Sequence, residues 1–294
     1  MSDLRGRVTK DGIRLYEPAD FAGMRAAGRI AAEILDEVGP LVRPGVTTAD
    51  LDAFIADRVH AKGAISATVG YTPPGREPYQ HASCISVNHV VCHGIPGMPI
   101  PKGKTETISK DLEKRRADDR LLVGDILNID VTVIVDGWFG DTSRMYLAGA
   151  PAPRSKALMT VTHDALMQGI AAVKPGHTFG DIGQAIQDHV EKHGMSVVRD
   201  FCGHGLGRVF HAPPNVLHYG RPGTGAVLEP GMFFTIEPMV NLGRPETREL
   251  TDGWTAVTRD KSLSAQYEHS VGVTETGVEV FTLSPAGLFA QALG

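Results

Sequence analysis

The segment "VRPGVTTADLDAFIADRVHAKG" (42–63) recurs 131 positions later as "VKPGHTFGDIGQAIQDHVEKHG" (173–194), with nine of 22 positions identical. Both copies open on a Pro-Gly turn and continue with Thr-x-x-Asp, a pattern whose side chains satisfy the orphan amides of a helix start. Apolar residues then follow at helical spacing: Leu51, Phe54, Ile55 and Val59 in one, Ile182, Ala185, Ile186 and Val190 in the other. A further stripe of Met24, Ala27, Ala31, Ile34, Val38 and Leu41 predicts another amphipathic helix ahead of the first copy. Two such helices can match by chance, but a shared turn and a shared cap argue for two halves of similar architecture.

The repeat extends to polar residues. "CHG" at 92–94 is answered by "GHG" at 203–205, so His93 pairs with His204. "ILNIDV" (126–131) is answered by "FFTIEP" (233–238), so Asp130 pairs with Glu237, and "GDTS" by "YEHS", so Asp141 pairs with Glu268. The order His, acid, acid occurs twice. Halves facing each other across a pseudo-twofold axis bring equivalent positions to one shared cleft. "DVTVIVDGWFGD" reads as a hairpin turning at Asp136-Gly137, which sets Val135 opposite Trp138, Thr132 opposite Asp141 and Asp130 opposite Ser143. Asp130 and Asp141 are then diagonal neighbours, roughly 7–8 Å apart at the backbone. Glu237 precedes Pro238 and is biased to extended geometry, and Glu268 lies in a strand-like stretch.

Four carboxylates gathered in an apolar setting repel one another, at about 4 kcal/mol per pair at 4 Å with an effective dielectric near 20. Such a cluster needs cations or must protonate. Two divalent ions would balance four acids, and a carboxylate-rich set with one imidazole suits Co, Mn, Fe or Zn. Two ions sharing a water and a carbonyl oxygen is the logic of two-metal hydrolysis. Any one of these acids alone would more often be a solvated or capping group, and His60, His163, His177, His189, His193 and His218 carry no special context. The duplicated pattern carries the weight.

Composition removes other classes. The net charge of −5 does not point to nucleic acid or an acidic membrane. Three cysteines, Cys84, Cys92 and Cys202, are too few and too irregular for a disulfide framework or a thiolate zinc site. No apolar run approaches a membrane span, and the polar "MSDLRGRVTKDG" is not a signal peptide, so a cytoplasmic location is expected.

"CISVNHVVCHGIP", "GDILNIDVTVIVDGWFGDTSRMY", "CGHGLGRVFHAPPNVLHY", "GMFFTIEPMV" and "GWTAVTRDKSLSAQYEHSV" together resemble the type I methionine aminopeptidases, in order and over nearly the whole chain. The resemblance implies the pseudo-twofold "pita-bread" α/β (α+β) fold, with a central curved antiparallel sheet covered by helices. It implies a single catalytic domain over 14–284, halves of about 14–150 and 155–284, an N-terminal extension at 1–13 and a tail at 285–294. It implies two divalent metal ions, with Asp141 and Glu268 bridging both, Asp130 on one, and His204 with Glu237 on the other. A metal-bridging hydroxide would be the nucleophile, with Glu237 as proton shuttle. His93 would sit near the scissile nitrogen, and His211 would polarise the carbonyl. Tyr71, Cys84, Phe210 and Trp254 would line a pocket for a methionine side chain; without the resemblance, plain core packing is the better reading of these four. A monovalent cation near Asn88, Val90 and Ser264 is a further implication, as are a monomeric state and nascent polypeptides beginning with Met as substrates.

Two stretches depart from the family pattern. "TPPGREPYQHAS" (72–83) is longer than usual and makes Tyr79 the candidate for a second pocket tyrosine. Residues 97–122 form an insertion; within 101–120 it holds seven Lys/Arg and five Asp/Glu, a net of +2. A mixed run of this kind is usually a solvated surface loop, and the sharper expectation is contact with the ribosome. A proline-specific peptidase shares the metal logic and fold but usually carries a further N-terminal domain. A metal-free binding protein on the same fold would have lost ligands, whereas all five positions are filled.

Overall fold

Each Thr-x-x-Asp segment opens a helix. Asp50 N–H donates to Thr47 Oγ1 at 3.0 Å and Thr47 N–H donates to Asp50 Oδ2 at 3.3 Å, closing a capping box at the start of helix Thr48–Ala61. At helix Phe179–Lys192 the same residue pair closes the start differently, with Thr178 N–H and Thr178 Oγ1 both donating to Asp181 Oδ2, at 2.7 and 2.9 Å. Each is preceded by a longer helix, Phe21–Val38 and Pro153–Ala171, the second starting with proline at its first turn. The structure, a computed structural model, describes residues 6–103 and 118–288. The expected stripe of the first helix is buried from Met24 to Val38. Leu41, expected to continue it, is 37% exposed, because Gly39 and Pro40 tighten the chain into a 3-10 turn.

A long hairpin, Asp125–Val135 with Trp138–Ala148, is the centre of the first half, and its register is the expected one. Asp136 and Gly137 both take positive φ, 49° and 80°, as a tight two-residue turn requires. Cys84–Val87 and Ile65–Ser66 pair with the inner strand of the hairpin. The second half carries a five-stranded antiparallel sheet in the order Ala212–Val216, Gly203–Gly205, Phe233–Ile236, His269–Val273, Val278–Val280.

The two sheets meet along Trp138–Ala148 and residues 268–273. Glu268 N–H donates to Ser143 O at 3.1 Å, Thr142 Oγ1 to Glu268 O at 2.7 Å, and Ser270 Oγ to Asp141 O at 2.6 Å. This seam explains one departure. Glu268 was expected within a strand, and it lies instead in the short break between Ser264–Gln266 and His269–Val273, where the backbone leaves one strand partner for another.

Helix Phe21–Val38 packs directly on the hairpin. A Cβ at Gly140 would fall 2.3 Å from the Ala27 carbonyl group, so only glycine permits this approach. Two large clusters form the core, one beneath each half. Ile34, Ile55, Leu127 and Ile129 belong to the first, and Leu166, Ile186, Phe234 and Val271 to the second. Ile13, at the end of the expected N-terminal extension, is 2% exposed and belongs to the second cluster.

The central residues of the expected insertion, 104–117, lie outside the described residues. Its return is anchored: Asp119 Oδ2 accepts from Thr48 Oγ1 at 2.9 Å and from Ala49 N–H at 2.8 Å, at the start of helix Thr48–Ala61. Among the described residues, no helix is long and apolar enough to cross a membrane.

Candidate metal centre

The hairpin delivers Asp130 and Asp141, and the second sheet delivers the other three residues. His204 stands in Gly203–Gly205, Glu237 immediately follows Phe233–Ile236, and Glu268 sits at the seam. All five line one cleft of about 1050 Å³. Ligand atoms of Asp141, His204 and Glu268 lie within 4.8 Å of one another. His204 Nε2 is 3.4 Å from Asp141 Oδ2 and 3.7 Å from Glu237 Oε1. Its Nδ1 faces Gly205 O at 3.2 Å, so Nδ1–H donates there, and Nε2 is the nitrogen turned to the acids, where a metal ion would displace its proton. A metal-ligating histidine takes this tautomer and is held this way.

Burial dominates the electrostatics. It pushes the carboxyls of Asp130 and Glu268 well above the usual range, and neighbouring acids add to the rise. Glu237 is pushed up to about 7 by burial, although His204 pulls the other way. Burial also opposes the charged form of His204, yet the hydrogen bond to Asp141 and the charge of Glu237 carry its value above normal. Asp130 Oδ1 is buried without a hydrogen-bond partner. Two buried acids, Asp141 and Glu268, two part-buried ones, Asp130 and Glu237, an orphaned carboxyl oxygen and an oriented imidazole nitrogen fit divalent metal binding.

Other side chains fix the acids, and little or nothing in the letters marks them out. Thr132, seen only as a register partner, donates Oγ1–H to Asp141 Oδ1 at 2.7 Å. Thr235 donates to Glu237 Oε1 at 2.8 Å and accepts from His204 N–H at 3.0 Å. Gln266 Nε2 donates to Glu237 Oε2 at 3.2 Å. His218, set aside as a histidine without context, accepts the Glu237 backbone N–H on Nε2 at 3.1 Å. A hydroxyl two positions from each acid, alternating to the same strand face, is the signal that could have found Thr132 and Thr235.

Tyr71, Cys84, Phe210 and Trp254 line the same cleft as the acids, together with His93 and His211. Tyr71 lies 5.0 Å from Phe210 and 5.1 Å from His211, centroid to centroid, and His211 lies 4.3 Å from His204. Desolvation pushes His93 down to about 4, with the charge of Arg76 adding to the shift. Tyr79 also lines the cleft; its hydroxyl donates to Ser83 O at 3.0 Å, and its ring meets Trp254 edge-on at 5.0 Å. Away from this cleft, Asn88 takes a left-handed φ of 57°, and its carbonyl accepts from Ser264 N–H at 2.9 Å. Val90 pairs opposite Val257.

Residues 22–275 match the model of metallopeptidase family M24. The chain belongs to that family. It is 50% identical to a methionine aminopeptidase of Rickettsia prowazekii over 94% of this chain and 97% of that one, and 47% identical to one of Escherichia coli K12 over 92% and 94%. The crystal structure of the Rickettsia prowazekii methionine aminopeptidase superposes with a TM-score of 0.82, covering 92% of this chain and 100% of that one. The fold is therefore the pita-bread fold, and this M24 member is a metallopeptidase of the methionine aminopeptidase type. The prolidase of Pyrococcus furiosus shares the fold at a TM-score of 0.66 and 19% identity, with this chain covering 65% of its length.

Proposed function

We propose that this chain removes the N-terminal methionine from nascent proteins and peptides as a dinuclear metallo-exopeptidase. The observation that carries the reading is the convergence of Asp130, Asp141, His204, Glu237 and Glu268 in one cleft with an aromatic and sulfur-bearing wall. Asp141 and Glu268 would hold both ions, Asp130 one, and His204 with Glu237 the other. Bound there, divalent ions would balance the buried acids and polarise both a water and the scissile carbonyl.

The protein's own groups do the rest. Glu237, held through Thr235 and Gln266, takes a proton from the attacking water and passes it toward the leaving amine. His211 stabilises the oxygen of the tetrahedral intermediate, and His93 contacts the scissile nitrogen. Tyr71, Cys84, Phe210 and Trp254 receive the thioether side chain, whose flexibility and polarisability suit a sulfur-and-aromatic wall. The Asn88, Val90 and Ser264 backbone would hold a monovalent cation.

Protein stripped with chelator and reloaded with Mn, Co, Fe or Zn is expected to cleave Met-Gly-type peptides and to leave Xaa-Pro peptides intact. Xaa-Pro turnover exceeding Met-Gly turnover would refute the methionine reading in favour of a proline peptidase. Elemental measurement on protein purified without added metal identifies the ions and their number. The chain is proposed to act as a monomer in the cytoplasm, with ribosome contact through 97–122. Unchanged ribosome co-sedimentation after deletion of 101–119 would remove that contact.

A further inference from the structure

Within the longer stretch 72–83, the chain from 71 to 79 is a closed loop. Gly70 N–H donates to Tyr79 O at 2.7 Å and Tyr79 N–H to Tyr71 O at 2.9 Å, so the two tyrosines form its neck. Its tip is a turn through Pro73, Pro74, Gly75 and Arg76, closed by Arg76 N–H donating to Pro73 O at 3.1 Å. Gly75 supplies the positive φ, 79°, that the third position of such a turn demands. The loop therefore holds Arg76 in place.

Arg76 lines the cleft. Its guanidinium lies 5.3 Å from the centre of the Trp254 ring, and Nη2 donates to Glu249 Oε2 at 2.5 Å. Its Nη1 is buried with no hydrogen-bond partner. A buried, unpaired guanidinium nitrogen costs free energy unless an acceptor reaches it. Glu249 already balances the charge, so the acceptor that fits is a neutral one. The chemistry is near, since the Trp254 ring under the guanidinium meets the His93 ring edge-on, 6.5 Å between centres.

We infer that Arg76 is a substrate-binding residue that donates from Nη1 to a backbone carbonyl of the peptide beyond the scissile bond. It would make this chain favour true peptides over small amides of methionine. The inference rests on the methionine-removal reading and adds to it a contact supplied by the longer loop.

The test compares Met-Gly-Met-Met, which has such carbonyls, with methionyl-2-naphthylamide, which has no carbonyl beyond the scissile bond, on the metal-loaded enzyme. Arg76→Met is expected to lower the ratio of kcat/KM for tetrapeptide over naphthylamide about tenfold, the strength of one hydrogen bond to a charged donor, and to act through KM. Arg76→Lys, which cannot serve Glu249 and the peptide together, is expected to fall between. An equal loss on both substrates would reduce Arg76 to a prop for Trp254 and overturn the inference. A loss confined to peptides bearing Asp or Glu would overturn it in favour of side-chain recognition. Wild-type protein that cleaves neither substrate overturns both readings, whereas intact wild-type activity with an unchanged ratio in Arg76→Met overturns this one alone.

Discussion

Thr132 and Asp141 face each other across the hairpin, and the Thr132 hydroxyl donates to Asp141 Oδ1 at 2.7 Å. That bond occupies one carboxylate oxygen and leaves Oδ2 turned toward His204 Nε2, 3.4 Å away. Thr132→Val keeps the shape of the side chain and removes the donor. Metal affinity is expected to fall about 10–100-fold, the usual cost of losing a partner that orients a ligand. Competition titration against a chelator measures it, and an unchanged affinity would show that the bond does not position Asp141.

Asp130→Asn and Glu268→Gln each remove one charge from a balanced set. Both variants are expected to lose at least about a thousandfold in kcat/KM on Met-Gly peptides, a loss of several kcal/mol of transition-state stabilisation. Metal content after dialysis should drop alongside. Retained turnover in either variant contradicts the assignment of these acids.

Stability of the metal-free protein carries a pH signature. Burial raises the Asp130 carboxyl well above its usual 3.8, so the folded chain keeps a proton that the unfolded chain releases. Between those two values the folded state binds more protons, and stability falls as pH rises. Asparagine has no proton to lose. Metal-free Asp130→Asn should therefore melt a few degrees above the metal-free parent at pH 8, with the gap closing toward pH 4. Saturating dication should raise the parent far more than the variant. Calorimetry on the stripped proteins checks both signs.

His218 is buried, and burial pushes it down to about 3, so it stays neutral while accepting the Glu237 amide on Nε2. His218→Gln can place a carbonyl oxygen close to the same point; His218→Leu cannot. The leucine variant is expected to lose about tenfold in kcat with little change in KM, and glutamine to recover most of it. Equal activity in the two variants would reduce His218 to packing.

Much of this was legible because it is local. Thr47 with Asp50, and Asp136 with Gly137, announce a helix start and a hairpin from adjacent letters, and the hairpin register then places Asp130 and Asp141 on one face. The duplicated order of His and acids supplied the long-range pairing that periodicity alone lacks. What stayed hidden depends on contacts between distant residues of unremarkable type. Ser270 and Asp141 are tied across the seam, and His218 reaches the Glu237 backbone, with no pattern in the letters to mark either. Leu41 failed for the opposite reason: a helical stripe continued on paper past Gly39 and Pro40, which the backbone does not follow.

The seam between Trp138–Ala148 and residues 268–273 means that neither half owns the cage. Asp141 arrives with the first sheet, His204 and Glu268 with the second. A chain stopped anywhere ahead of position 268 lacks Glu268 and the strand His269–Val273 that makes the seam. The three side chains therefore come together only once the two sheets have docked.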